Sequence, residues 1–136
     1  MFKHELDSTR QRVNVVVSGK TSGAELMAGM RAVLDDPQFD PSYSVLIDLG
    51  TLAQTPTIAE LRDIALAVRA NSVGSGARRA MITSSTVFFE LARLFARLTA
   101  GSASKYRAFR DRTDAEAWLG ETGPSDDEDE SDSLTV

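Results

Sequence analysis

At 136 residues and 42% hydrophobic composition, the chain has enough apolar material for one core and too little for two. With no cysteine and one histidine, it excludes disulfides, thiolate chemistry and sulfur-ligated metals and leaves little for acid–base catalysis. The net charge of −5 is uneven: seven acids and no base follow Gly120, leaving thirteen acids against fifteen bases before it. That near-neutral body lacks the basic face that competes for nucleic-acid phosphates. There is no apolar run of about 18 residues to span a membrane. The charged opening from Met1 to Arg10 is unlike a signal peptide, so a cytoplasmic location is expected.

Lys3 to Asp7 alternates apolar and polar residues, and the polar turn Ser8 to Gln11 leads to a stronger strand, Val13 to Ser18. This pattern predicts an antiparallel hairpin. Ser22-Gly23-Ala24-Glu25 has the form of a capping box and opens a helix with Leu26, Met30, Val33 and Leu34 inward. Asp36-Pro37 closes it. Val45-Leu46-Ile47-Asp48-Leu49 is nearly continuous in apolar character, as expected of a central strand covered on both faces. A second capping box, Thr57 to Glu60, starts a helix with Ile58, Leu61, Ile64, Ala65 and Val68 inward, and the segment from Asn71 to Gly76 ends it.

Arg79 to Thr83 reads as a short strand, followed by a helix with Val87, Phe88, Leu91, Leu94, Phe95 and Leu98 on its apolar face. Tyr106 to Phe109 is expected as an edge strand, and Thr113 to Glu116 as a third capping box before a helix anchored by Trp118 and Leu119. Residues 1–120 therefore form one α/β domain with a mixed sheet, the opening hairpin antiparallel and the helix-separated strands parallel. Residues 121–136 are too polar to repay ordering and are expected to form a disordered acidic tail.

The helix ending in Asp35-Asp36-Pro37-Gln38-Phe39, the strand Val45 to Leu49 and the closing run Phe109-Arg110-Asp111 to Trp118-Leu119 together resemble the SpoIIAA-like branch of the STAS domains. That resemblance covers residues 2 to 120 in element order. It implies a STAS-like mixed β-sheet with an N-terminal antiparallel hairpin and about four helices, mainly on one side. Better-known STAS relatives are anti-sigma-factor antagonists, switched by phosphate on a serine in an Asp-Ser-x-Gly motif at a helix entry. This chain has Thr55-Pro56-Thr57-Ile58-Ala59 there instead. The architecture also resembles Sec14-type lipid carriers, which implies an apolar ligand.

Asp48, at the carboxyl end of the central strand, is a candidate ligand or partner contact, with hydrogen bonding to loop amides as its structural alternative. Thr57 and Thr55 are candidate phosphoacceptors, although a cap alone accounts for Thr57. Arg93 and Arg97 lie one turn apart, and Arg78, Arg79, Arg107 and Arg110 could extend them into an anionic-partner patch, with a solvated face as the alternative. Ser84 and Ser85 complete the polar candidates for a contact. Phe89 falls off the main apolar stripe and is a candidate for a pocket or a homodimer contact. His4 reads as a strand residue, and Gly74-Ser75-Gly76 has the wrong placement for a phosphate loop.

No catalytic constellation, metal site or cofactor motif emerges. The leading expectation is a non-enzymatic protein-interaction or regulatory module. Its alternative is a carrier or sensor of a small apolar ligand held between helices and sheet by residues such as Phe88, Phe89, Phe95, Met27, Met30 and Met81.

Overall fold

In the computed structural model, which describes residues 1–71, 77–101 and 105–120, the chain opens with β1 (Phe2–Asp7) and β2 (Arg12–Gly19), paired antiparallel. Strict alternation in β2 buries Val13, Val15 and Val17 on one face and leaves Val16 43% exposed on the other. Then follow α1 (Gly23–Asp35), β3 (Ser44–Leu52), α2 (Ile58–Asn71), β4 (Arg78–Ile82), α3 (Thr86–Leu98), β5 (Lys105–Phe109) and α4 (Arg112–Gly120). The proposed tail at 121–136 and the Gly74–Gly76 stretch lie outside the described residues.

The strand order is β1-β2-β3-β4-β5, with every pair after the first parallel. Three right-handed crossovers stepping the same way along a sheet put their helices on one face, and α1, α2 and α3 accordingly cover Val13, Val15, Val17, Val45, Ile47 and Met81. The last helix crosses to the reverse face, where Ala115 and Trp118 pack on Leu46, Ala80, Ile82 and Phe109. The mixed sheet, its hairpin, its four helices, the central position of β3 and the edge position of β5 are as the sequence predicts.

Two of the three expected capping boxes form. Ser22 Oγ accepts from the amide of Glu25 at 3.1 Å, and Thr57 Oγ1 accepts from that of Glu60 at 3.1 Å, each glutamate returning a bond to its cap. The third is corrected: Asp111 Oδ1 accepts from the Asp114 amide at 2.9 Å, so the helix starts two residues earlier than the Thr113 reading. Glu116 is drawn instead to Arg12, at 3.0 Å. Ile58 and Val87, expected inward, are 53% and 60% exposed, and both lie on the first turn of their helix, where packing on neighbours is least complete. Among the described residues no helix is long and apolar enough to cross a membrane.

Candidate functional site

An apolar cavity of about 90 Å³ lies between the three-helix layer and the sheet. Its floor comes from Val17 of β2, Ile47, Leu49 and Leu52 of β3, and Met81 of β4. Leu26 and Met30 of α1, Leu61 and Ile64 of α2, and Phe88, Leu91 and Phe95 of α3 form the roof, with Phe2 and Pro56 at the sides. No lining residue carries a charged or hydrogen-bonding side chain. Water needs two to four polar partners to be held, so such a wall favours an apolar occupant.

Beside this cavity, the N-termini of α1 and α2 meet through one carboxylate. Glu60 Oε1 accepts from the Thr57 amide at 2.8 Å, while a Cβ at Gly23, the first residue of α1, would lie 2.1 Å from Glu60 Oε2. Gly23 thus leaves room for the Glu60 carboxylate against the positive end of a second helix. At the opposite end of α1, Asp36 accepts from the Gln38 amide at 2.9 Å and pairs with His4 Nε2 at 3.1 Å. The Gln38 amide first, then His4, holds the Asp36 carboxyl below its usual range. His4 is therefore more than a strand residue, since it ties β1 to the end of α1.

The candidates singled out from sequence are not gathered at one site. Asp48 faces the reverse side of the sheet, accepting from the Gly50 amide at 2.8 Å and from Arg112 Nη2 at 3.2 Å. The loop-amide alternative holds for it, with an added ion pair. Ser85 caps α3, its hydroxyl accepting from the Phe88 amide at 3.3 Å, and Ser84 is exposed beside it. Thr55 is exposed in the loop before α2. Arg93 pairs with Glu90 at 3.4 Å and Arg97 is exposed. Arg78 and Arg79 do not extend a surface patch, because both are buried within β4. Phe89 is buried beneath the Arg110 guanidinium, 4.4 Å from its ring centroid, and does not line the cavity.

Phe88, Phe95, Met30 and Met81, named from sequence for an apolar pocket, do line it, whereas Met27 does not. The other lining residues, among them Phe2, Val17 and Pro56, are not singled out for a pocket by the sequence. The one sequence signal for the missed part is Gly29, a glycine inside a helix, where its entropic cost usually marks a close approach. Among the described residues no group of three or more His, Cys, Asp or Glu side chains is placed to hold a metal ion.

Thr57 offers a direct check on the cap. Thr57→Ala is expected to cost about 1 kcal/mol in urea denaturation, and Thr57→Asp to hold or slightly raise stability, since aspartate caps well and faces the helix dipole.

No family model matches the chain, and no curated protein matches it significantly. Among solved structures, it is similar to an uncharacterized protein of the DUF3478 family with a SpoIIAA-like fold from Shewanella loihica PV-4. The two share 17% identity and a TM-score of 0.57, over 88% of this chain and 92% of the other. With the same mixed sheet, opening hairpin and four helices in place, the chain has a SpoIIAA-like α/β fold.

Proposed function

We propose that this domain is a non-enzymatic carrier or sensor of a small neutral apolar molecule, held in the cavity between α1–α3 and the sheet. The observation that carries this reading is the composition of the wall, which has no charged side chain and no strong hydrogen-bond donor or acceptor. Any polar part of a ligand would be desolvated there without return, so the ligand class is apolar and uncharged. An engineered cavity of about 150 Å³ lined by Leu, Ile and Phe binds benzene and xenon. The cavity here, about 90 Å³, suits xenon as it stands, and benzene once Met30 or Met81 changes rotamer.

The test is binding of xenon and benzene to the purified protein, followed by ligand-detected NMR and by the rise in melting temperature that binding to the native state produces. Ala92 is buried in the wall, so Ala92→Leu fills the space and is expected to abolish both signals. Wild type that binds neither probe, or an Ala92→Leu protein that binds both unchanged, would overturn the reading.

A second reading, a protein-interaction or regulatory module, is favoured by Ile58 and Val87. Both are more than half exposed on the first turns of α2 and α3, beside the wall residues Leu61 and Phe88. Exposed apolar groups at a cavity rim suit a protein partner or a second copy as well as ligand entry. Ile58→Ser with Val87→Ser separates the two: benzene binding persists in either case, and self-association by sedimentation is lost only if the rim is a homodimer contact.

A further inference from the structure

The cavity has one wall that its own helix does not supply. On α1, positions 26, 29 and 30 share a face, and Leu26 and Met30 line the cavity while position 29 is glycine. The gap is filled from a different element: a Cβ at Gly29 would stand 2.2 Å from Cγ of the Phe2 ring. Phe2 is itself a cavity-lining residue, half-buried, on the edge strand β1 opposite Val17, another lining residue. The strand is pinned on both sides of that ring. The Met1 carbonyl accepts from the Ser18 amide at 2.8 Å, and His4 pairs with Asp36 at 3.1 Å.

We propose that Phe2, seated in the notch left by Gly29, is the residue that sets the size limit of the apolar ligand. This rests on the reading of the cavity as a ligand site. The ring stands where a longer or broader molecule would have to extend between α1 and β2. Its removal lengthens the site toward the sheet edge. A methyl at position 29 has the reverse effect, since the ring must leave the notch and the space next to it is the cavity.

Benzene and naphthalene are suitable probes, with affinities measured by ligand-detected NMR on the full chain and folding checked by urea denaturation. Phe2→Ala is expected to raise the ratio of naphthalene to benzene affinity by about tenfold, from the added apolar surface buried. Gly29→Ala is expected to lower that ratio in the wild-type background and to leave it unchanged in the Phe2→Ala background, because the methyl then has no ring to displace. If Gly29→Ala does not fold, the series Phe2, Phe2→Leu, Phe2→Ala carries the test, with the ratio rising in that order. A wild type that binds benzene while Phe2→Ala leaves the ratio unchanged overturns the role of Phe2 alone. Equal effects of Gly29→Ala with and without the ring do the same. Absence of benzene and naphthalene binding in wild type and Phe2→Ala alike overturns the ligand site, and the gauge with it.

Discussion

Trp118→Ala is expected to destabilise the fold by about 3 to 5 kcal/mol, read as a fall in the urea midpoint. The helix that carries this ring, α4, has nine residues, too few to persist in water without tertiary packing. Trp118 is 5% exposed and supplies most of what the helix buries, against Leu46, Ala80, Ile82 and Phe109. Its ring lies 5.6 Å from that of Phe109 and 5.3 Å from the Arg78 guanidinium, centroid distances in the range of favourable aromatic and cation–π contact. The Trp118 carbonyl also accepts from Arg78 Nη1 at 2.6 Å, closing the end of the helix with a buried cation. Truncation to alanine therefore uncovers the reverse face of β3 and β4 and undoes the seat of Arg78. Trp118→Phe is expected to cost less than about 1.5 kcal/mol, since it keeps a ring in place and deletes a buried indole Nε1 that has no partner among the described residues. An alanine variant with the wild-type midpoint would mean that α4 does not belong to the folded unit.

Local sequence signals predict structure where the partners lie within a few residues, and fail where a distant element competes. The Ser22–Glu25 and Thr57–Glu60 boxes need only their own turn, and both form. The Thr113–Glu116 box has the same spelling, but Glu116 pairs with Arg12 across 104 residues and Asp111 takes over the cap. Periodicity finds the inward stripes of α2 and α3 but not where burial begins along each helix, since Ile58 and Val87 on the first turns are exposed. The pair Arg78-Arg79 reads as surface charge, yet β4 is covered on both faces, and all five of its residues are buried. Four residues of the cavity wall, Phe88, Phe95, Met30 and Met81, are legible in the sequence as a surplus of Phe and Met. The place of Phe2 in that wall depends on its meeting Gly29, a contact between a strand end and a helix middle that no spacing rule connects.

Arg79 carries the second large expected effect. It is 2% exposed, and among the described residues no carboxylate pairs with it. Its guanidinium lies 5.7 Å from the Tyr106 ring centroid and 5.9 Å from that of Phe39, and Nη1 donates to the Tyr106 hydroxyl at 3.4 Å. α1, α2 and α3 run opposite to the parallel strands, so their C-terminal ends lie toward the end of the sheet where β4 begins. Arg79→Ala is expected to cost about 3 kcal/mol through the lost stem and its stacking between two rings. Arg79→Met keeps most of the volume and removes a desolvated cation, so its stability should fall within about 1 kcal/mol of wild type or above it. The same pair predicts a pH response. Burial pushes the Tyr106 phenol above its ordinary 10.0, and the Arg79 charge pulls it partly back. As pH rises past that ordinary value, the unfolded chain loses the tyrosine proton while the folded one keeps it, so stability is full below it and falls above it. Arg79→Met removes the opposing charge and should steepen that fall, whereas Tyr106→Phe should remove this component. Urea midpoints taken from about pH 9 to pH 11 measure it. If Tyr106→Phe lost stability over that interval as steeply as wild type, the titrating group would lie elsewhere.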